Sequence, residues 1–219
     1  MAKKRFDLIV FDWDGTLMDS TSAIVKCIQA AARDLGLGVP DDRAAAHVIG
    51  LSLQDALKVA VPELDPKHYG RMVERYRHHY LARDHELTLF PGVREMLDEL
   101  SRSGYFLAVA TGKSRVGLNR VLDASRLLSL FDATRCADET FSKPHPAMLH
   151  ELTRELGQDL QRTVMIGDTT HDLLMARNAG TAGVGVHYGA HPADELAALE
   201  PEFGAASVEE LHAWLLENA

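Results

Sequence analysis

No run of apolar residues in this 219-residue chain approaches the roughly 20 that a membrane-spanning helix requires. Cysteine is scarce as well. Cys27 and Cys136 stand in unrelated contexts with no metal-ligand spacing, which points to a reducing cytosol and a cytoplasmic protein. Basic charge is not in excess: 23 Lys and Arg against 32 Asp and Glu leave a formal net charge of −9, arguing against general nucleic-acid binding. The basic start Met1-Ala2-Lys3-Lys4-Arg5 runs into a buried-type strand ending in acids, which is not a signal peptide. Internal repeats and low-complexity linkers are absent. With 46% hydrophobic and 25% charged residues, the chain has the make-up of an ordinary soluble globular protein. Its length suits one large domain or a core with a smaller inserted module. The acidic balance still allows an anionic substrate, because a local metal and a lysine outweigh a distant, screened field.

What is present starts with Phe6-Asp7-Leu8-Ile9-Val10-Phe11-Asp12-Trp13-Asp14-Gly15-Thr16-Leu17. Leu8 to Phe11 form an unbroken apolar run of strand-forming residues, suited to a strand buried on both faces. The run stops at two carboxylates, Asp12 and Asp14, and Gly15 supplies a bend. Open α/β sheets bind ligands outside the carboxyl ends of their strands, so both acids fall where a site would be. Acids this close repel unless a cation joins them, and Mg²⁺, which favours oxygen ligands, is the natural candidate. A solvated turn is the plain alternative, since Asp and Gly are common turn residues.

Beyond Leu17 the pattern turns helical. Ser20 and Thr21 can cap a helix with Ala23, Ile24, Cys27, Ile28 and Ala31 on its apolar face. Asp41-Asp42 starts another, Ser52 caps Leu53 to Val61, and Pro66 to about Arg83 is a longer polar helix. Residues 18–87 thus read as all helix, a module inserted after the first strand. From Phe90-Pro91-Gly92-Val93 onward, strands and helices alternate in the manner of a parallel sheet. Helices are expected at Val93–Arg102, Arg115–Asp123, Pro146–Leu156, Thr169–Ala179 and Ser207–Leu216. Strands are expected at Phe106–Ala110, Phe131–Arg135, Thr163–Ile166 and Thr181–Val186. The fold class is therefore α/β: a doubly wound, Rossmann-like parallel sheet (1–17 and 88–219) carrying a helical cap (18–87).

Four strand ends now carry suggestive residues: Asp12 with Asp14, Thr111, Lys143 in its loop, and Asp168 with Asp172. Parallel strands bring these ends to one side of the sheet. Singly, each has a modest explanation: Thr111-Gly112 as a helix start, Lys143 as a loop lysine, Asp168 and Asp172 as acids favoured by a helix dipole. The spacing of four also places the last two on one helical face. Their joint occurrence is the informative observation.

Together they resemble the haloacid dehalogenase-like hydrolase superfamily. Asp12-Trp13-Asp14-Gly15-Thr16-Leu17 is similar to its first motif, Thr111 after an apolar strand to its second, and Lys143-Pro144 to its third. Gly167-Asp168-Thr169-Thr170-His171-Asp172 is similar to the fourth. The resemblance covers nearly the whole chain, and its phosphoglycolate-phosphatase-like branch matches best in length and layout. It implies a phosphatase of a small phosphorylated metabolite, monomeric or homodimeric, with no nucleic-acid or membrane partner. By that resemblance Asp12 takes the phosphoryl group and Asp14 serves as general acid and base. Thr111, with Gly112, Lys113 and neighbouring backbone N–H groups, holds phosphate oxygens, and Lys143 neutralises charge. Mg²⁺ would be held by Asp12, the Asp14 carbonyl and Asp168, with Asp172 acting through water. A carboxylate nucleophile splits one hard displacement into two, and phosphoryl transfer needs chiefly positioning and charge neutralisation.

Asp14 argues against the family's dehalogenases and phosphonoacetaldehyde hydrolases, which lack an acid there. Ser20 to Ile28 contains no histidine, against a sugar-phosphate mutase of the same branch. A phospho-accepting receiver uses similar residues, but its third Asp precedes the Thr and Lys and it has no helical insert. Substrate choice is expected from the insert, at the elbow Gly50-Leu51-Ser52, with Leu51 and Ser52 reaching toward the cleft. His78, His79 and His85 read as a solvated helix face, and His145 and His171 could touch the site. His187, Tyr188 and His191 read as a surface loop beside it. Gly112-Lys113-Ser114 is no P-loop, because Leu107 stands where the first glycine is required.

Overall fold

A computed structural model describes residues 5–219, the side chain of His85 excepted, so Met1–Lys4 of the basic start lie outside the described residues. The chain begins with β1 (Leu8–Phe11) and β2 (Met18–Asp19), then α1 (Thr21–Asp34), α2 (Asp42–His47), α3 (Leu53–Ala60) and α4 (Tyr69–Arg83). It continues through β3 (Thr88–Leu89), α5 (Val93–Arg102), β4 (Phe106–Thr111), α6 (Arg115–Ser125), β5 (Ala133–Cys136) and α7 (Ala147–Leu156). The last part holds β6 (Thr163–Gly167), α8 (Thr170–Ala179), β7 (Ala182–Val186), α9 (Ala193–Ala197), β8 (Phe203–Ala205) and α10 (Val208–Asn218). Among the described residues no helix is long and apolar enough to cross a membrane.

Six parallel strands pair in the order β5-β4-β1-β6-β7-β8. Renumbered within the sheet this is 3-2-1-4-5-6, the doubly wound arrangement, whose direction of winding reverses between β1 and β6. It differs from the 2-1-3-4-5 order of receivers. All four residues of β1 are buried. Because strand side chains alternate, Ile9 and Phe11 join the core under α5, α6 and α10, while Leu8 and Val10 join the core under α7 and α8. That double burial explains the unbroken apolar run.

The insert has its own core. Ile24, Cys27, Ile28 and Ala31 of α1 pack with Ala45, Leu57, Met72 and Tyr80 from the three other helices. Asp41 caps α2 and Ser52 caps α3, each accepting a backbone N–H with its side chain. The expectation of helix throughout 18–87 fails at its first two residues. Met18 and Asp19 pair antiparallel with Leu89 and Thr88, so the chain enters and leaves the insert through a two-stranded stem. Ser20 precedes α1 but makes no capping bond. Two further elements, α9 and β8, were not expected; β8 extends the sheet beyond β7.

Candidate active site

The reversal point between β1 and β6 places Asp12 and Asp168 side by side at the strand ends. Asp12 donates its backbone N–H to Ile166 O at 2.9 Å, continuing the ladder one residue past β1. Its carboxylate is buried, with Oδ1 2.6 Å from Lys143 Nζ. The same ammonium lies 2.6 Å from Asp172 Oδ1. Burial disfavours the lysine's charge, but Asp12 and Asp172 outweigh it and hold Lys143 above its ordinary value. Burial pushes Asp12 up to about 7, with Lys143 pulling down and the Asp172 and Asp14 charges adding to the rise.

Asp168 is fully buried and sits just before α8, not on it, so only Asp172 is helical; the shared helical face expected for the pair is not formed. Asp172 instead folds back in a capping box, accepting from Thr169 N at 3.1 Å and Thr169 Oγ1 at 2.7 Å. Asp168 accepts from Thr16 Oγ1 at 2.9 Å and from Ala190 N at 2.7 Å. Burial first, then the Asp12 and Asp172 charges, hold its carboxyl well above the carboxylate range. Gly15, at φ +83°, must be glycine on two counts: a Cβ there would lie 2.1 Å from Asp168 Oδ2.

Asp14 is oriented from both sides. Ser20 Oγ donates to its Oδ1 at 2.7 Å, and Lys113 Nζ lies 3.0 Å from its Oδ2. Ser20 thus spends its hydroxyl on the site, which is why it leaves α1 uncapped. Lys113 also donates to the Tyr80 hydroxyl at 2.9 Å, tying the insert's α4 to the core. Thr111 ends β4, buried, and its Oγ1 accepts the Lys113 N–H at 3.2 Å.

The elbow Gly50-Leu51-Ser52 lies on Gly112. A Cβ on Gly112 would fall 2.3 Å from Leu51 O. Ser52 donates its N–H to Ser142 Oγ at 2.8 Å, one residue before Lys143, while its own hydroxyl bonds Asp55. Leu51, Ser52, Gly112 and Lys113 line one cavity together with Asp12, Asp14 and Thr111. On another side of the insert, His171 and His191 both donate a ring N–H to His47 O, at 2.9 and 3.1 Å. His187, Tyr188 and His191 lie in the loop after β7 beside the site, but His191 is buried rather than at the surface, and its neutral tautomer is held by the Thr170 N–H donated to Nδ1 at 3.1 Å. His79 Nε2 lies 2.9 Å from Asp34 Oδ2, and the His85 side chain lies outside the described residues. His145 stacks on Phe141, away from the carboxylates.

Sequence reasoning missed Thr16, Ser20, Tyr80 and the Ala190 N–H. Thr16 and Ser20 lie close to Asp14 in sequence and were within reach of inspection. Nothing local marks Tyr80 or Ala190, whose roles depend on tertiary approach.

The buried acids suit a cation. Asp12, Asp168 and Asp172 bring carboxylate oxygens within 4.8 Å of one another. With Asp14 included, four carboxylates face the ammoniums of Lys143 and Lys113, so two negative charges lack a counter-charge when all are ionised. Asp12 Oδ2 is buried with no hydrogen-bond partner. A buried, unpartnered carboxylate oxygen beside a second carboxylate is costly without a metal and well used with one.

Comparison with known proteins agrees with this geometry. The family model described as haloacid dehalogenase-like hydrolase matches residues 9–186. The protein named Probable phosphatase IndB, of Dickeya dadantii (strain 3937), is 41% identical over 202 residues, covering 89% of this chain and 87% of its own. The Phosphoglycolate phosphatase of Agrobacterium fabrum (strain C58 / ATCC 33970) is 32% identical over 188 residues, covering 83% and 81%. A crystal structure described as a predicted phosphoglycolate phosphatase from Haemophilus somnus 129PT superposes with TM-score 0.85 at 26% identity, covering 99% of both chains. With its motifs gathered at the reversal point of the sheet and a helical insert over them, this chain belongs to the haloacid dehalogenase-like hydrolases, among relatives that are phosphatases.

Proposed function

We propose that the chain is a Mg²⁺-dependent phosphatase that hydrolyses a small phosphomonoester through an aspartyl phosphate on Asp12. The observation that carries this reading is Asp12 itself: one oxygen is neutralised by Lys143 and the other is buried without a partner. Residues 18–87 form the cap in this reading, over a core of 1–17 and 88–219. The phosphatase relatives support a phosphorylated small molecule, and the buried free thiols of Cys27 and Cys136 support a cytoplasmic location.

Asp12, the Asp14 carbonyl and Asp168 would hold Mg²⁺, with Asp172 behind them; bound there, the ion supplies charge neutralisation for phosphate oxygens. Asp12 attacks phosphorus in line with the leaving oxygen, forming the O–P bond as the ester O–P bond breaks. Lys143 lowers the charge between nucleophile and phosphoryl oxygens. Asp14, fixed by Ser20 and Lys113, gives its proton to the leaving alkoxide and later takes one from the attacking water. Thr111 Oγ1 and the backbone that follows it hold a phosphoryl oxygen. Leu51 and the closed elbow exclude water from the cleft.

The test is hydrolysis of a generic phosphomonoester by pure protein with Mg²⁺, followed by a chelator. Asp12→Asn should abolish turnover and phosphoenzyme, and Asp14→Asn should lose about 10²–10⁴-fold on a poor leaving group. Activity that survives complete metal removal would overturn the reading.

A further inference from the structure

The cavity that opens onto Asp12 and Asp14 is about 560 Å³, within the range of pockets that hold whole organic ligands. A phosphate on a two-carbon acid would leave most of it empty. Much of its wall is apolar. Ile24 and Ile28 of α1, Val48, Ile49, Leu53 and Val73 supply aliphatic surface from the insert. Tyr76 and Tyr80, adjacent on α4, stack with ring centroids 5.9 Å apart and an interplanar angle of 26°. Tyr76 is half-buried and Tyr80 buried.

The mouth is apolar too. Leu81 on α4 is 52% exposed and Val116 on α6 is 78% exposed, and both line the cavity. Two exposed aliphatic side chains thus border the cavity, one from the insert and one from the core. Two of the cations lining the cavity are already committed. Lys113 is shared by Asp14 and Tyr80, and Arg120 is paired with Asp84 at 2.9 Å. Arg77, exposed on α4, also lines the cavity, one helical turn from Val73 and from Leu81. A second anionic group held beside the phosphate would lie near the Asp14 carboxylate, where Lys113 is already shared, which is costly.

We propose that the substrate's organic part is a bulky apolar body, of ring or medium-chain alkyl size, seated against Tyr76, Tyr80 and the aliphatic wall. The inference rests on the phosphatase reading for the phosphate end and adds the chemical class of the other end. Apolar burial then gives the insert a reason to close, since closure covers both the ligand and the Leu81–Val116 mouth.

Two series test it. In the first, kcat/KM is measured with Mg²⁺ for ethyl, butyl, hexyl and benzyl phosphates, whose leaving alcohols are of similar basicity, and for 2-phosphoglycolate. The expected gain is about threefold to fourfold per buried methylene, with hexyl and benzyl phosphates at least tenfold above 2-phosphoglycolate. In the second, alkylphosphonates of the same lengths are titrated calorimetrically onto the Mg²⁺-loaded protein, which reads the cavity without turnover. Hydrolysis with a flat length series, or with 2-phosphoglycolate preferred, overturns the apolar substrate and leaves the phosphatase. No hydrolysis, with phosphonate affinity rising with length, overturns the phosphatase and keeps the apolar site. The double variant Leu81→Ser/Val116→Ser, at two exposed positions, should lower kcat/KM for hexyl phosphate at least threefold more than for ethyl phosphate. An equal effect on both esters would remove the mouth from the proposal.

Discussion

The Lys143 ammonium lies 2.6 Å from Asp12 Oδ1 across 131 positions of sequence, and both groups are buried. Removing one partner of such a pair leaves an uncompensated charge, at a cost of about 3–5 kcal/mol. Lys143→Met should therefore unfold at markedly lower urea than the parent at pH 8. The cost should shrink at pH 5. Asp12 already sits at about 7, and without the ammonium it rises further, so at pH 5 the native carboxyl is neutral. Equal destabilisation at both pH values would contradict the assignment.

Asp168→Asn should move stability in opposite directions with and without metal. Metal-free, the substitution removes a buried carboxylate whose charge is disfavoured by its surroundings, while Asn can still pair with Ala190 N and Thr16 Oγ1. The apo variant should melt at or above the parent. With Mg²⁺ at about 100 times its Kd, the parent gains about 2.7 kcal/mol and the variant gains little. Thermal melts with and without Mg²⁺ decide it.

Gly112→Ala should damage catalysis more than folding. The added Cβ would meet Leu51 O at 2.3 Å, a backbone atom that can retreat only if the elbow lifts. Core strands are untouched, so Tm should fall only slightly, while kcat/KM falls at least tenfold and metal dependence persists. Ser52→Ala, by contrast, removes a helix cap and should cost about 1 kcal/mol of stability. Parallel measurement of both variants separates closure from capping.

Cys27 gives a pH signature remote from the site. Burial, opposed by the Arg83 charge, pushes its thiol up from an ordinary value of 9.0 to about 11. Between these values the unfolded chain has lost the proton and the native state keeps it, so stability must fall as pH rises through that window. Cys27→Ala should flatten the decline between pH 9 and 11 in denaturant titrations. A parent curve as flat as the variant's would show the thiol to be unperturbed.

The parts of the fold legible in sequence were those written in short-range pattern. Leu8–Phe11 reads as a doubly buried strand because both faces are apolar, and Val93–Arg102 reads as a helix from its spacing to the residue. Asp12, Asp14 and Asp168 stand out in the sequence because each follows such a strand, whereas Lys143, in a loop, stands out only through the joint pattern. What escaped depended on distant partners. Phe203–Ala205 is three residues with a central glycine, and only pairing with β7 makes it a strand. Ser20 looks like a helix cap in any local reading, yet Asp14 claims its hydroxyl once the stem folds. His191 looks like loop, but Thr170 and His47 together bury it.

The stem formed by β2 and β3 has a consequence for how such a protein can be rebuilt. Met18 faces Leu89 and Asp19 faces Thr88, antiparallel, so the chain departs and returns at adjacent points. A two-residue turn such as Asn-Gly could join Asp19 directly to Thr88 as a hairpin, with no strand of the main sheet displaced. The four helices between them are thus a cassette with one socket. Any replacement cassette would have to bring its own partners for Asp14 and Lys113, because Ser20 and Tyr80 leave with the old one.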